Sequence, residues 1–131
     1  MMLAAGAAAT AIRRCSRAIR WRSTPPGFER HLAKSDVPLV VDFWAAWCGP
    51  CRAMAPEFER AAAMLEPEAR LVKVNVDEEP ALAQKFQTRS IPTILIALHG
   101  RELARVAGAR SAAQLVEWVR REVSRANAAS V

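Results

Sequence analysis

Metal-binding residues are scarce in this chain: its 131 residues include three cysteines and two histidines. A structural zinc site takes four Cys or His ligands, usually in paired sets. Only Cys48 and Cys51 stand at ligand spacing, while Cys15, His31 and His99 are isolated, so no metal site is expected. Long apolar runs are missing as well. No stretch approaches the roughly 20 residues a helix needs to cross a bilayer, and no membrane span is expected. Acid is missing from residues 1–23, which carry Arg13, Arg14, Arg17, Arg20 and Arg22. These five account for most of the net charge of +6, leaving 14 of the 19 basic residues against all 13 acidic ones in the remainder. The remainder is therefore nearly neutral, and nucleic acid is not an expected partner.

What is present suits one domain with one core, at 131 residues and 52% hydrophobic composition. Residues 39–44, Leu-Val-Val-Asp-Phe-Trp, read as a buried strand. Around it the pattern predicts a helix over 28–34, a helix over 52–65 kinked at Pro56, a strand over 71–76, a helix over 81–86 and strands over 93–98 and 102–107 joined by a turn at His99-Gly100. A final helix opens with the capping box Ser111-Ala112-Ala113-Gln114 and carries Ala112, Leu115, Val116, Val119 and Val123 along one face. Alternating strands and helices predict an α/β fold with a parallel portion, and the last two strands add an antiparallel hairpin. Arg120, Arg121 and Arg125 read as a solvated face favoured by the helix dipole.

The chemistry concentrates in Trp47-Cys48-Gly49-Pro50-Cys51. Two thiols three positions apart can close on each other within one helical turn, and their natural product is a reversible disulfide. The order strand, turn, cysteine, helix places Cys48 at a helix N-terminus, where unpaired backbone N–H groups favour a thiolate. Cys51 falls nearly a turn further in, on the face of Ala55, Phe58, Ala62 and Leu65, and is expected to be more buried and to hold its proton more firmly. Cys48 is thus the expected nucleophile and Cys51 the resolving thiol. Asp42 sits within an apolar run, where an unpaired carboxylate is costly and its pKa rises; it reads either as a group that exchanges protons near neutral pH or as half of a structural pair. Trp47 is expected to border the cysteine, partly exposed, and Trp44 to be packed. Ile91-Pro92-Thr93 reads equally as an ordinary strand start or as a segment that meets substrate, and Gly108 as a close approach of two backbones or a strand-to-helix turn.

From Val37 to about Val123 the chain resembles the thioredoxin family. Asp42-Phe43-Trp44-Ala45, Trp47-Cys48-Gly49-Pro50-Cys51, Pro56, Lys73-Val74-Asn75-Val76-Asp77, Arg89-Ser90-Ile91-Pro92-Thr93, Gly100 and Gly108 stand where that family places its characteristic residues. The resemblance implies the thioredoxin fold, a central mixed sheet of four to five strands with helices on both faces. It implies a protein-disulfide reductase, since Gly49-Pro50 is similar to the dipeptide of reductant members, whereas oxidant and isomerase relatives usually carry a histidine second. It further implies that Asp42 takes the proton of Cys51, that Lys73 modulates Asp42, and that Ile91, a cis Pro92, Thr93 and Gly108 form the client-binding surface beside the Trp47, Gly49 and Pro50 loop. The implied partners are disulfide-containing clients and a flavin-containing thioredoxin reductase, with NADPH acting only through that reductase and no cofactor bound to this chain. A monomer is expected. Two rival readings are a client-binding module with incidental redox activity and a disulfide oxidase or isomerase.

Residues 24–127 are the expected thioredoxin domain, followed by a short tail over 128–131. Residues 1–23 form an Ala- and Arg-rich extension open to three readings: a disordered segment, a targeting sequence, or a start codon assigned too far upstream. The expected location is the cytoplasm, or the mitochondrial matrix if that extension is a transit peptide. The family begins with an edge strand, for which 19–23 is the candidate. The Arg89–Thr93 stretch resembles bacterial thioredoxins of the second type, whose zinc ribbon of two Cys-x-x-Cys pairs cannot form with Cys15 alone.

Overall fold

The structure is a computed structural model that describes Leu32 and residues 35–129. Four strands, β1 (Leu39–Trp44), β2 (Arg70–Asn75), β3 (Thr93–Leu98) and β4 (Arg101–Ala107), form one sheet in the order β2-β1-β3-β4. β1 runs parallel to β2 and antiparallel to β3, and β3 pairs antiparallel with β4. Three helices are described in full, α1 (Gly49–Leu65), α2 (Pro80–Lys85) and α3 (Ala112–Ala129).

Strand alternation divides the core in two. Val40, Leu71, Ile94 and Ile96 meet Met54, Phe58, Ala61, Leu65, Leu115, Val116 and Val119 from α1 and α3. The opposite parity, Val41, Phe43, Val72, Val74 and Leu95, meets Leu82 of α2 and Leu32. Because β1 lies inside the sheet and is covered on both faces, its sequence is a continuous apolar run rather than an alternating one. Asp42 is the exception, and its parity directs it to the α1 side.

Sequence and structure differ at several element ends. α1 starts at Gly49, three residues before the expected 52, because a proline in the first helical turn lacks only an N–H that would have no intrahelical partner anyway. The helix also runs unbroken through Pro56, which is exposed. β2 and α2 each begin one residue earlier than expected, and α3 continues through Ala129. The connection at His99-Gly100 is a two-residue hairpin turn with φ of 52° and 77°, both left-handed as such tight turns require. Of the helix expected over 28–34, only Leu32 is described; it is helical and buried, and its carbonyl accepts the Gly100 N–H at 2.8 Å. The candidate strand over 19–23, the extension over 1–23 and Cys15 lie outside the described residues.

α3 starts where its sequence signature puts it. The Ser111 N–H donates to Gln114 Oε1 at 2.9 Å and the Gln114 N–H to Ser111 Oγ at 3.2 Å, the reciprocal bonds of a capping box. A second cap comes from another helix: Glu57 Oε1 of α1 accepts the Ala112 N–H at 2.8 Å. This contact ties the two helices of one face together.

Candidate active site

Cys48 is the N-cap of α1, and its sulfur accepts the Cys51 N–H at 3.2 Å. The two cysteines are joined as a disulfide with Cα atoms 5.3 Å apart. In the reduced state the same first-turn N–H groups favour negative charge on Cys48, since nothing else in the helix satisfies them. Burial does not separate the pair as the sequence reading expects: the two residues are 5% and 3% exposed. The turn from Ala45, held by the Cys48 N–H on the Ala45 carbonyl at 3.2 Å, tucks Cys48 under the loop, so depth along the helix does not translate into a difference in cover. What distinguishes the two is position at the cap.

The rim is formed by exposed Gly49 and Pro50 and by Trp47, which is 67% exposed. So large an aromatic in water is held by a polar anchor: its Nε1–H donates to Asp77 Oδ2 at 2.8 Å. Asp77 is itself fixed by the turn after β2, where buried Asn75 accepts the Asp77 and Glu78 N–H groups through Oδ1 at 2.8 and 3.2 Å. Neither residue is expected in the site from sequence; the signal for them is an Asn-x-Asp turn directly after a strand.

The second side of the site comes from the segment before β3. The Ile91–Pro92 peptide bond is cis, and the Ile91 carbonyl oxygen lies 3.9 Å from Cys48 Sγ. Thr93 Oγ donates to the Ser90 carbonyl at 2.6 Å, closing the loop around the proline. The Pro92 carbonyl accepts the Gly108 N–H at 2.9 Å. Gly108 has φ +94°, a conformation L side chains rarely adopt, and a Cβ there would stand 3.3 Å from Arg110 Nη1. Ile91, Trp44 and Val76 pack against the small buried cluster of Ala45, Cys48 and Cys51.

Asp42, on the α1 side of β1, is 1% exposed, with both carboxylate oxygens buried and without a hydrogen-bond partner. Burial pushes its pKa up to about 7, against the opposing pull of the Lys73 charge. Lys73 is its lateral partner in β2, and the ammonium sits 4.4 Å from the centroid of the Trp44 ring. Trp44 packs against the cysteine cluster as expected and is half-buried, with that ammonium over its ring. Among the described residues no cluster of three His, Cys, Asp or Glu side chains is placed to hold a metal ion, and no helix is long and apolar enough to cross a membrane.

A pair of cysteines that can close as a disulfide at a helix cap, with a backbone carbonyl facing it, is built to pass two electrons by thiol exchange. Fold and site together define a thiol–disulfide oxidoreductase on a four-stranded mixed sheet. Known proteins of this class are similar across most of the chain. The thioredoxin family model matches residues 21–121. Thioredoxin from Rickettsia bellii is 37% identical over 100 residues, covering 76% of this chain and 95% of the relative. Thioredoxin 1 from a Nostoc species is 45% identical over 86 residues, covering 66% and 80%. Among solved structures, chloroplastic thioredoxin z superimposes with a TM-score of 0.69 at 33% identity, covering 79% of this chain and 93% of the other. The chain belongs to the thioredoxin family, and its activity is protein-disulfide reduction.

Proposed function

We propose that the Cys48 thiolate attacks one sulfur of a client disulfide, forming a mixed disulfide while the other client sulfur leaves as a thiolate. Cys51 then loses its proton to the Asp42 carboxylate and attacks Cys48 Sγ. The second client sulfur departs, the client is left as a dithiol, and Cys48–Cys51 carries the oxidation as a disulfide. Two electrons move from the cysteine pair to the client, and a thioredoxin reductase drawing on NADPH returns them, so this chain holds no cofactor of its own. The observation that carries the assignment is the cap position of Cys48, with the Cys51 N–H on its sulfur and the Ile91 carbonyl opposite.

Trp47, Gly49 and Pro50 form the loop that meets the client. Ile91 pairs its backbone with an extended client segment, Pro92 and Thr93 hold that backbone in place, and Gly108 leaves room beside it. Lys73 modulates the proton affinity of Asp42. The redox domain begins near residue 24, residues 1–23 being an extension to it, and it works as a monomer. Its place is the cytoplasm, or the mitochondrial matrix if the extension directs it there; the Arg-rich, acid-free composition of 1–23 supports the second.

Trapping tests the order of attack. Cys51→Ser should accumulate a client mixed disulfide on Cys48 that dithiothreitol releases, and Cys48→Ser should accumulate none. Equal trapping by both variants would overturn the assigned roles. Undiminished biological activity of the Cys48→Ser/Cys51→Ser double variant would instead favour docking over redox chemistry as the protein's use.

A further inference from the structure

Asp42 and Trp44 occupy the same face of β1, two residues apart, and the register pairs Asp42 directly with Lys73 of β2. Adjacent strands lie about 4.8 Å apart, so a lysine at that register can reach the neighbouring carboxyl. It does not do so here. Both Asp42 oxygens have no hydrogen-bond partner, and the Lys73 ammonium lies 4.4 Å from the Trp44 ring centroid. The ammonium therefore has two competing sites on this face, a carboxyl and the negative face of an indole, and it occupies the indole.

The other groups facing Asp42 do not offer a substitute charge. The buried residues of α1, which packs on this face, are Cys51, Met54, Phe58, Ala61, Ala62 and Leu65; β3 contributes Ile94 in register, and the inward face of α3 is Leu115, Val116 and Val119. Among these groups Lys73 is the one cation, so where its ammonium rests governs the field at the acid. Burial and the Lys73 charge act on the carboxyl in opposite senses, burial being the larger.

We propose that Trp44 is a positioning residue for the buried acid: its ring holds the Lys73 ammonium off the Asp42 carboxyl, which stays unpaired and free to take a proton. Trp44 packs against the cluster that holds Cys48 and Cys51, and its proposed effect on the exchange runs through Lys73. The placement stands on the geometry; its catalytic consequence rests on the reading of Asp42 as acceptor of the Cys51 proton.

The test is a carbon-13 NMR titration of the Asp42 carboxyl in the oxidised protein, where neither Cys48 nor Cys51 titrates. Trp44→Leu should release the ammonium to the carboxyl and lower the Asp42 midpoint by about 1 to 3 pH units, the effect of an adjacent opposite charge. Trp44→Phe keeps an aromatic face and should restore most of the wild-type midpoint. Lys73→Met should raise the midpoint, and in that background Trp44→Leu should change it little. An equal drop with and without Lys73 would mean that water entering the emptied space is the cause, and the proposal would fail; so would an unchanged midpoint in Trp44→Leu alone. Should Trp44→Leu not fold, the wild-type protein answers by itself: ring current from Trp44 should move the Lys73 ε-methylene protons upfield, and their appearance at ordinary exposed-lysine positions overturns the proposal. The expected NMR pattern combined with an unaltered second exchange step in Asp42→Asn would leave Trp44 as the positioner and refute the proton-transfer reading instead.

Discussion

Replacing Asp42 by asparagine should stabilise the oxidised protein by an amount that grows with pH. The carboxyl is buried without a partner, and its pKa stands at about 7 against an ordinary value of 3.8. Below pH 3.8 the group is protonated whether the chain is folded or not, so it contributes no pH dependence. Between 3.8 and about 7 the unfolded chain releases the proton while the folded chain keeps it, and stability falls as pH rises. Above 7 both states are ionised and the loss is complete. A displacement of about 3 pH units at about 1.4 kcal/mol each amounts to about 4 kcal/mol, a large share of the 5–15 kcal/mol typical of a domain. Asn has nearly the shape of Asp and no charge to desolvate, so the variant should lack this slope. Urea unfolding of both oxidised proteins at pH 4, 5.5, 7 and 8.5 measures it directly. The stability difference in favour of Asp42→Asn should widen by about 4 kcal/mol from the lowest pH to the highest. A difference that stays flat across that range would refute the claim that this carboxyl is desolvated in the native state.

Three other perturbations probe different parts of the molecule. The pKa of Glu57 lies below its ordinary 4.5, chiefly because it accepts the Ala112 N–H and also because Arg60 is beside it. Its contribution is therefore present above pH 4.5 and lost as pH falls through the lower native value, so Glu57→Gln should be less stable than wild type at neutral pH and approach it in acid; parallel pH profiles would count against the cross-helix cap. Gly108→Ala forces a side chain into φ +94° and against Arg110, which should cost about 1–2 kcal/mol in urea unfolding. It should also raise KM for a protein disulfide while leaving the rate with a small aromatic disulfide unchanged; equal effects on both substrates would argue against Gly108 as part of the client surface. Phe58→Ala empties the fully buried centre between α1 and the sheet and should cost about 3–5 kcal/mol by the same assay; a cost below 1 kcal/mol would mean that this cluster does not carry the core.

The parts of the fold that could be read from the chain are those whose cause is local. β1 announces itself as a six-residue apolar run because both of its faces are covered. The His99-Gly100 turn and the Ser111–Gln114 cap each depend on residues within four positions of one another, and both form as their chemistry requires. Even the unusual acid is visible as a lone carboxyl inside an apolar strand. Element ends were less secure where two local rules compete, as at Gly49-Pro50, where turn chemistry and the first-turn tolerance for proline point in different directions.

The chain by itself determined the redox chemistry, since a Cys-x-x-Cys spacing after a buried strand leaves two sulfurs little to do but exchange, and the motifs flanking it carry the family likeness. Only tertiary structure decided which distant residues meet around the site and the helices that carry it. Trp47 on Asp77, Glu57 on the first turn of α3, and Lys73 on Trp44 rather than on Asp42 all join residues 29 to 55 positions apart, brought together by strand register and helix packing. The near-equal cover of Cys48 and Cys51 belongs with them. Burial is a property of everything that folds over a residue, and no window along the chain contains that information.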